Sequence, residues 1–303
     1  MVLPRVLTAI VTPFNEDFTL DLNSMEELVR YQLTYDTGVV LFGTTGECPT
    51  IDDKERGEIM KMVVNKFNNT LNNFVVGVGG NNPKECINSI QTAIQYNFNT
   101  FMLTTPYYNK PTQHGLYEHF KFICNSFPDC KFILYNVPGR TSVNLLPNTV
   151  KDISIICPNV IAIKEASGDL GQMIMLRRIV PNILLYCGDD GLIIPAMSVG
   201  AYGIISVLSN STPKSVVLVV NLCVKNDYHG AFILYSELDD LIKLLFLETN
   251  PSPIKYLLMN QGLISFDQVR LPLVKMQNYE NQKKIRQQES RLTMFYNYNC
   301  IKY

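Results

Sequence analysis

The chain has 303 residues, 47% of them hydrophobic, and a formal net charge of −1. That balance gives no electrostatic reason to expect nucleic acid or an anionic membrane surface as partner. The length accommodates one large domain with an extensive core, and no break in composition divides it.

The first residues, MVLPRVLTAIVTPF, already read as a strand. They lack the cationic start, long apolar stretch and small-residue cleavage site of a secretory leader. No segment offers the ~20 apolar residues of a membrane-crossing helix. The cysteines are Cys48, Cys86, Cys124, Cys130, Cys157, Cys187, Cys223 and Cys300, with no C-x-x-C pair among them. Several lie in apolar runs, where a thiol serves as a small core side chain, and a domain with its own core needs no disulfide framework. These features lead to the expectation of a soluble, cytoplasmic protein.

Short β-branched or apolar runs recur along the chain: Leu7–Phe14, Gly38–Gly43, Phe74–Gly80, Thr100–Thr105, Lys131–Val137, Val160–Ala166, Ile183–Gly188 and Tyr202–Leu208. Nearly continuous apolar strands belong to parallel sheets covered on both faces. Between them run helical patterns such as Leu22–Leu33, Lys54–Phe67 and Glu85–Tyr96. This alternation predicts a closed (β/α)8 TIM barrel over residues 1–212, with an open doubly wound sheet as the alternative. After Asn210 only helices are expected: Lys214–Lys225, His229–Glu248 and Ile254–Gly262, with Pro251 and Pro253 between the last two. Residues 213–303 are therefore read as a C-terminal helical appendix. Its last stretch, Lys283–Tyr303, shows no period and receives no assignment.

Barrel enzymes carry their chemistry at the carboxyl ends of the strands. The second strand runs into Gly43-Thr44-Thr45-Gly46-Glu47, which fits either a capped turn or a cradle of N–H and hydroxyl groups for a small carboxylate. It is no nucleotide-binding loop, because no Gly-Lys-Ser/Thr follows. The fifth strand ends in Tyr135-Asn136-Val137-Pro138-Gly139-Arg140-Thr141. Alone this is a strand aromatic and a turn; at a barrel mouth Tyr135 is an acid/base and Arg140 a bidentate carboxylate clamp. The sixth strand carries the sharpest signal. Alternation puts Ala162, Lys164 and Ala166 on one face and Ile161 and Ile163 on the other. If the first face is the lumen, small neighbours leave the lysine room. Burial favours the neutral amine, the form that attacks a carbonyl; the competing reading is a lysine snorkelling from a strand end. Together the three clusters suit a 2-oxo acid such as pyruvate. Its carboxylate meets hydroxyls and N–H groups, its ketone condenses with the amine, and the iminium lets the methyl group lose a proton.

With these segments goes a wider likeness. Thr105-Pro106-Tyr107-Tyr108-Asn109, Ile163-Lys164-Glu165-Ala166, Gly188-Asp189-Asp190, Gly203-Ile204-Ile205-Ser206-Val207 and Asn250-Pro251-Ser252-Pro253, with the clusters above, resemble the dihydrodipicolinate synthase family from about Val6 to Pro272. The resemblance implies a homotetramer, a dimer of dimers, that condenses pyruvate with L-aspartate 4-semialdehyde. It makes Lys164 the Schiff-base residue and Tyr135 the proton donor and acceptor. Thr44 and Tyr108 complete a relay, Tyr108 coming from a neighbouring subunit. Thr45 and Ile205 hold pyruvate, and Arg140 receives the semialdehyde. It implies no metal or organic cofactor; His114, His119 and His229, the only histidines, are a poor supply for a zinc site. Lysine-sensitive relatives use an Asn, a Glu and a Tyr that match Asn81, Glu85 and Tyr107. The flank here, with Cys48, Asp53 and Arg56, leads to the expectation of weak inhibition by L-lysine. The rivals are N-acetylneuraminate lyases and 2-keto-3-deoxy sugar acid aldolases, which generally lack the arginine, and a pyruvate-binding barrel without turnover.

Overall fold

The structure, a computed structural model, describes residues 3–299. Cys300 and the last residues of the unassigned tail lie outside that range. Eight parallel strands close into a barrel in chain order: β1 Val6–Ala9, β2 Gly38–Leu41, β3 Phe74–Gly79, β4 Thr100–Thr104, β5 Lys131–Asn136, β6 Val160–Glu165, β7 Leu184–Cys187 and β8 Gly203–Ser206. The expected TIM barrel is present, and β8 pairs back onto β1.

The period-two alternation sorts the strand residues into two clusters. Leu7, Val40, Val75, Met102, Ile133 and Ala162 fill the lumen, while Val39, Leu41, Val76, Leu103, Leu134 and Ile163 face the surrounding helices. Those helices are α1 Leu22–Thr34, α2 Asp53–Phe67, α3 Pro83–Gln95, α4 Gln113–Asn125, the one-turn α5 Pro138–Thr141, α6 Pro147–Ile156, α7 Leu170–Ile179 and α8 Ile193–Ser198. Their starts are marked by the side chains the backbone requires there. Asp21 caps α1, Asp52 and Glu55 form a capping box on α2, and Thr112 caps α4. No helix among the described residues is long and apolar enough to cross a membrane.

The lumen is plugged at its amino end. Tyr186 donates to the Pro4 carbonyl and Tyr202 to the Leu3 carbonyl, both at 2.8 Å. The two rings meet edge to face at 5.4 Å, and the Arg5 guanidinium lies 4.4 Å from the centre of the Tyr202 ring.

Four further helices follow: α9 Pro213–Val224, α10 Tyr228–Leu245, α11 Ser252–Asn260 and α12 Tyr279–Asn299. α9 packs against β1 and α10, so the core runs without a break from the barrel through Val216, Val219 and Leu257. The division between 1–212 and 213–303 stands as a proposal about chain organisation. Of the stretch without a visible period, residues 283–299 belong to α12. Among its described side chains Ile285 and Leu292 are the buried apolar ones, too few to leave a pattern, yet each burial contributes about 1.5–3 kcal/mol.

A buried ion pair joins the appendix to the barrel. Lys255 on α11 donates to Glu47 and, at 2.7 Å, to the Gln268 carbonyl; both charged side chains are fully buried. The second Glu47 oxygen accepts the Arg270 N–H at 2.9 Å, and Arg270 also pairs with Glu55. Phe14 lies between the two cations, 4.1 Å from Lys255 Nζ and 4.2 Å from the Arg270 guanidinium carbon. Burial pushes Lys255 down to about 8, opposed by the attraction of Glu47. The first strand is shorter than the apolar run Leu7–Phe14. Ile10, Val11 and Phe14 are buried in packing beyond the sheet, so their apolar character carries no strand signal.

Candidate active site

At the carboxyl rim a cavity of about 340 Å3 is lined by Thr44, Thr45, Tyr135, Arg140 and Lys164, with Ala9, Met102, Gly188, Asp189 and Asn250 among the other walls. Each of the three clusters read from the sequence contributes to it.

Lys164 is the penultimate residue of β6, in register with Tyr135 on β5 and Tyr186 on β7. Its side chain enters the lumen, as the alternation requires, and it is only 6% exposed. Nζ lies 4.3 Å from the centre of the Tyr135 ring and forms no ion pair among the described residues. Room for the chain comes from Gly188. A Cβ there would stand 2.7 Å from Ala166 Cβ and 2.9 Å from Lys164 Cε, so any side chain would displace the lysine.

The turn after β2 is wound tightly. Gly46 N–H donates to the Gly43 carbonyl at 3.1 Å and Glu47 N–H to that of Thr44 at 3.0 Å. Thr12 holds the Gly46 carbonyl at 2.7 Å. Glu47 sits at φ 55°, a left-handed conformation that its ion pair with Lys255 stabilises. Asn250, from the segment before α11, donates to Thr45 Oγ1 at 3.0 Å. The turn is thus fixed from behind by the appendix and presents Thr44 and Thr45 to the cavity.

Arg140 is exposed at the mouth on α5. Its loop is held by a buried amide network that the sequence reading passed over. Glu165 accepts from Asn136 Nδ2 at 3.0 Å, from Gln172 Nε2 at 2.8 Å and from the Ser167 N–H at 2.7 Å. Asn136 Oδ1 accepts the Leu145 N–H at 2.8 Å, and Asn144 bonds both Asn136 and Gln172. Residues 137–146 are thereby tied to the end of the strand that bears Lys164. The available signal was one carboxylate, Glu165, inside an apolar run. A second such clamp holds the β8 rim. Asp190 is buried and accepts from Ser206 Oγ at 2.5 Å and from the Val207 and Leu208 N–H groups at 2.9 Å. Burial raises its carboxyl above the usual range, the hydrogen bonds opposing.

Two expected members lie apart. Ile205 is buried in the lumen, in register with Leu7 and below the cavity lining. Tyr108 is 87% exposed at φ 66° and does not line its own chain's cavity. Asn81 and Tyr107 meet, the Asn81 Oδ1 accepting the Tyr107 N–H at 2.9 Å. Glu85 stands in the first turn of α3, bonded to Asn82 at 2.9 Å. The Arg56 guanidinium is engaged by the Cys48 carbonyl at 2.9 Å and that of Ile51 at 3.2 Å, 5.0 Å from the centre of the Phe42 ring.

A buried amine in a lumen closed at one end, with a phenol beside it and hydroxyls opposite, can condense with the ketone of a small acid. The Dihydrodipicolinate synthetase family matches residues 2–290. A 4-hydroxy-tetrahydrodipicolinate synthase of Endomicrobium trichonymphae is 41% identical over 273 residues, covering 90% of this chain and 92% of that one. The solved dihydrodipicolinate synthase of Acinetobacter baumannii, complexed with pyruvate, superposes with a TM-score of 0.89 at 34% identity, covering 95% of this chain and 98% of that one. The lysine-bound enzyme from Cyanidioschyzon merolae gives 0.90 at 32% identity, covering 95% and 97%.

Proposed function

The chain belongs to the dihydrodipicolinate synthetase family, and from that premise we propose how its rim cavity performs the reaction. The enzyme condenses pyruvate with L-aspartate 4-semialdehyde, a step of lysine and diaminopimelate biosynthesis. In our reading the Lys164 amine adds to the ketone of pyruvate and loses water to give an iminium. The pyruvate carboxylate lies against Thr45, with the Ile205 backbone completing its site, and Thr44 and Tyr108 complete a proton relay with Tyr135. Tyr135 carries protons to and from the lysine-bound intermediate. Loss of a methyl proton to the iminium sink gives an enamine, which attacks the aldehyde carbon. Arg140 holds the carboxylate of the semialdehyde at the mouth. No metal or organic cofactor is needed for these steps.

The observation that carries this reading is Lys164 itself: buried, without an ion pair among the described residues, against the Tyr135 ring and sharing one cavity with Thr44 and Thr45. Borohydride added with pyruvate should inactivate the enzyme and leave a reduced adduct on the peptide bearing Lys164; an adduct on another lysine overturns the assignment. Arg140→Ala should raise the KM for the semialdehyde far more than that for pyruvate, since a guanidinium grips a carboxylate but moves no protons. Unchanged semialdehyde kinetics would return the sugar-acid aldolases to consideration.

The same reading places Tyr108 in a neighbouring subunit's cavity within a homotetramer, a dimer of dimers. Its exposure, and its absence from the lining of its own chain's cavity, support that. Mixing Tyr108→Phe with Lys164→Ala subunits should restore activity in hybrid oligomers, and verified hybrids without activity would exclude it. Asn81, Glu85 and Tyr107 form the proposed L-lysine pocket. The Arg56 charge stands at its flank, so inhibition should be weak, and sub-millimolar inhibition in a titration would refute that. A reducing, cytoplasmic setting fits the seven described cysteines, all of them free.

A further inference from the structure

Among the described residues, two buried side-chain polar atoms lack a hydrogen-bond partner: Asn250 Oδ1 and Gln261 Oε1. A buried acceptor left unpaired is costly and calls for a donor. Asn250 lines the catalytic cavity, where substrates bring donors. Gln261 lines a second cavity of about 310 Å3, enclosed by residues of α1, α9, α10 and α12. The two orphaned oxygens therefore mark two cavities of similar size, and the reaction accounts for only one.

The second cavity combines three kinds of wall. Glu289 lies beside the Gln261 amide, and burial raises its carboxyl above the usual range; Tyr31 and Tyr35 stand with it. A carboxylate, an unpaired amide oxygen and aromatic rings together suit an ammonium group. Lys214, in the first turn of α9, supplies a cation for a carboxylate. Leu218, Leu241 and Leu292 make the apolar wall. Neither Lys214 nor Glu289 forms an ion pair among the described residues; Glu289 is hydrogen-bonded to the Gln261 side chain, but neither charge is balanced by an opposite one.

We propose that this cavity binds a small amino acid as its zwitterion, with an aliphatic side chain against the leucines. L-Leucine, its decarboxylated counterpart 3-methylbutylamine and its deaminated counterpart 4-methylpentanoate separate the three contributions in calorimetric titrations of the whole enzyme. L-Leucine should bind saturably at one site per chain, and each half-ligand about ten-fold or more weakly, as expected when one charged contact is lost. Glu289→Gln should weaken L-leucine and the amine but spare 4-methylpentanoate, and Lys214→Ala should do the reverse. Leu292→Phe fills the cavity and should abolish binding while turnover, the control for folding, is retained. Arg140→Ala should leave L-leucine binding unchanged, which separates this site from the catalytic mouth. Absence of saturable L-leucine binding, or binding that survives both Leu292→Phe and Glu289→Gln, overturns the proposal.

Discussion

Two lysines lie inside this molecule in different company. Lys255, at the seam between barrel and appendix, has a carboxylate, a carbonyl and an aromatic face around its ammonium. Lys164, at the rim, has one aromatic ring, a glycine that makes room for it and a cavity. Both are buried, so burial alone does not distinguish a structural lysine from a chemical one. What differs is whether the protein has already supplied the acceptors. Where it has, the amine is committed to holding Glu47, and through it the turn that carries Thr44 and Thr45. Where it has not, the amine carries no such commitment, as the proposed Schiff-base role requires.

The comparison breaks most readily at Lys164. Lys164→Ala should reduce turnover to background and abolish trapping by borohydride, with a melting temperature close to that of the parent. A variant that melted far below the parent would show that Lys164 supports the fold as Lys255 does. Lys255→Ala should do the opposite. It leaves Glu47 buried without a counter-charge, at a cost of about 3–5 kcal/mol in unfolding free energy, measurable by denaturant titration. The double replacement Glu47→Gln with Lys255→Met should recover most of that loss. If it did not, the seam would owe its strength to something other than charge balance.

A pH series sharpens the same contrast. Lys255 in the fold titrates at about 8, below its ordinary 10.5. Between those values the unfolded chain holds a proton that the folded chain has released. The unfolding free energy should therefore rise with pH across that window, by up to about 1.4 kcal/mol per unit from this group alone. The double variant at Glu47 and Lys255 should lack that rise. A constant difference between parent and variant from pH 8 to 10.5 would show that Lys255 keeps its proton in the fold. The smallest effect is expected at Glu165, next to Lys164 in sequence but turned outward. Glu165→Gln loosens the loop that carries Arg140, so the KM for the semialdehyde should rise roughly ten-fold, equivalent to one weakened hydrogen bond, while that for pyruvate holds. Equal changes in both would place Glu165 in the service of Lys164 instead.

The barrel was legible because strand periodicity and burial say the same thing along β2 to β8. It was less so at β1, where Ile10, Val11 and Phe14 are apolar because they pack in the core past the end of the strand. α12 was hidden because much of its surface faces solvent. In the site, Lys164, Tyr135 and the Gly43–Glu47 turn could be found because each places an unusual side chain at a strand end. The Asn136–Glu165–Gln172 network could not. Amides and a carboxylate spread over three elements carry no spacing, and only the fold brings them together. Lys255 and Glu47 are 208 positions apart and illustrate the same limit.

The tyrosine plug at the amino end of the barrel has a kinetic meaning. With Tyr186 and Tyr202 locked onto the Pro4 and Leu3 carbonyls, the lumen is a blind alley. Lys164 is therefore reached from the carboxyl rim, where Arg140 lines the cavity. If Arg140 holds the semialdehyde as proposed, a semialdehyde seated first would obstruct pyruvate. Addition with pyruvate first is then the expected order, and initial-rate and product-inhibition kinetics check it.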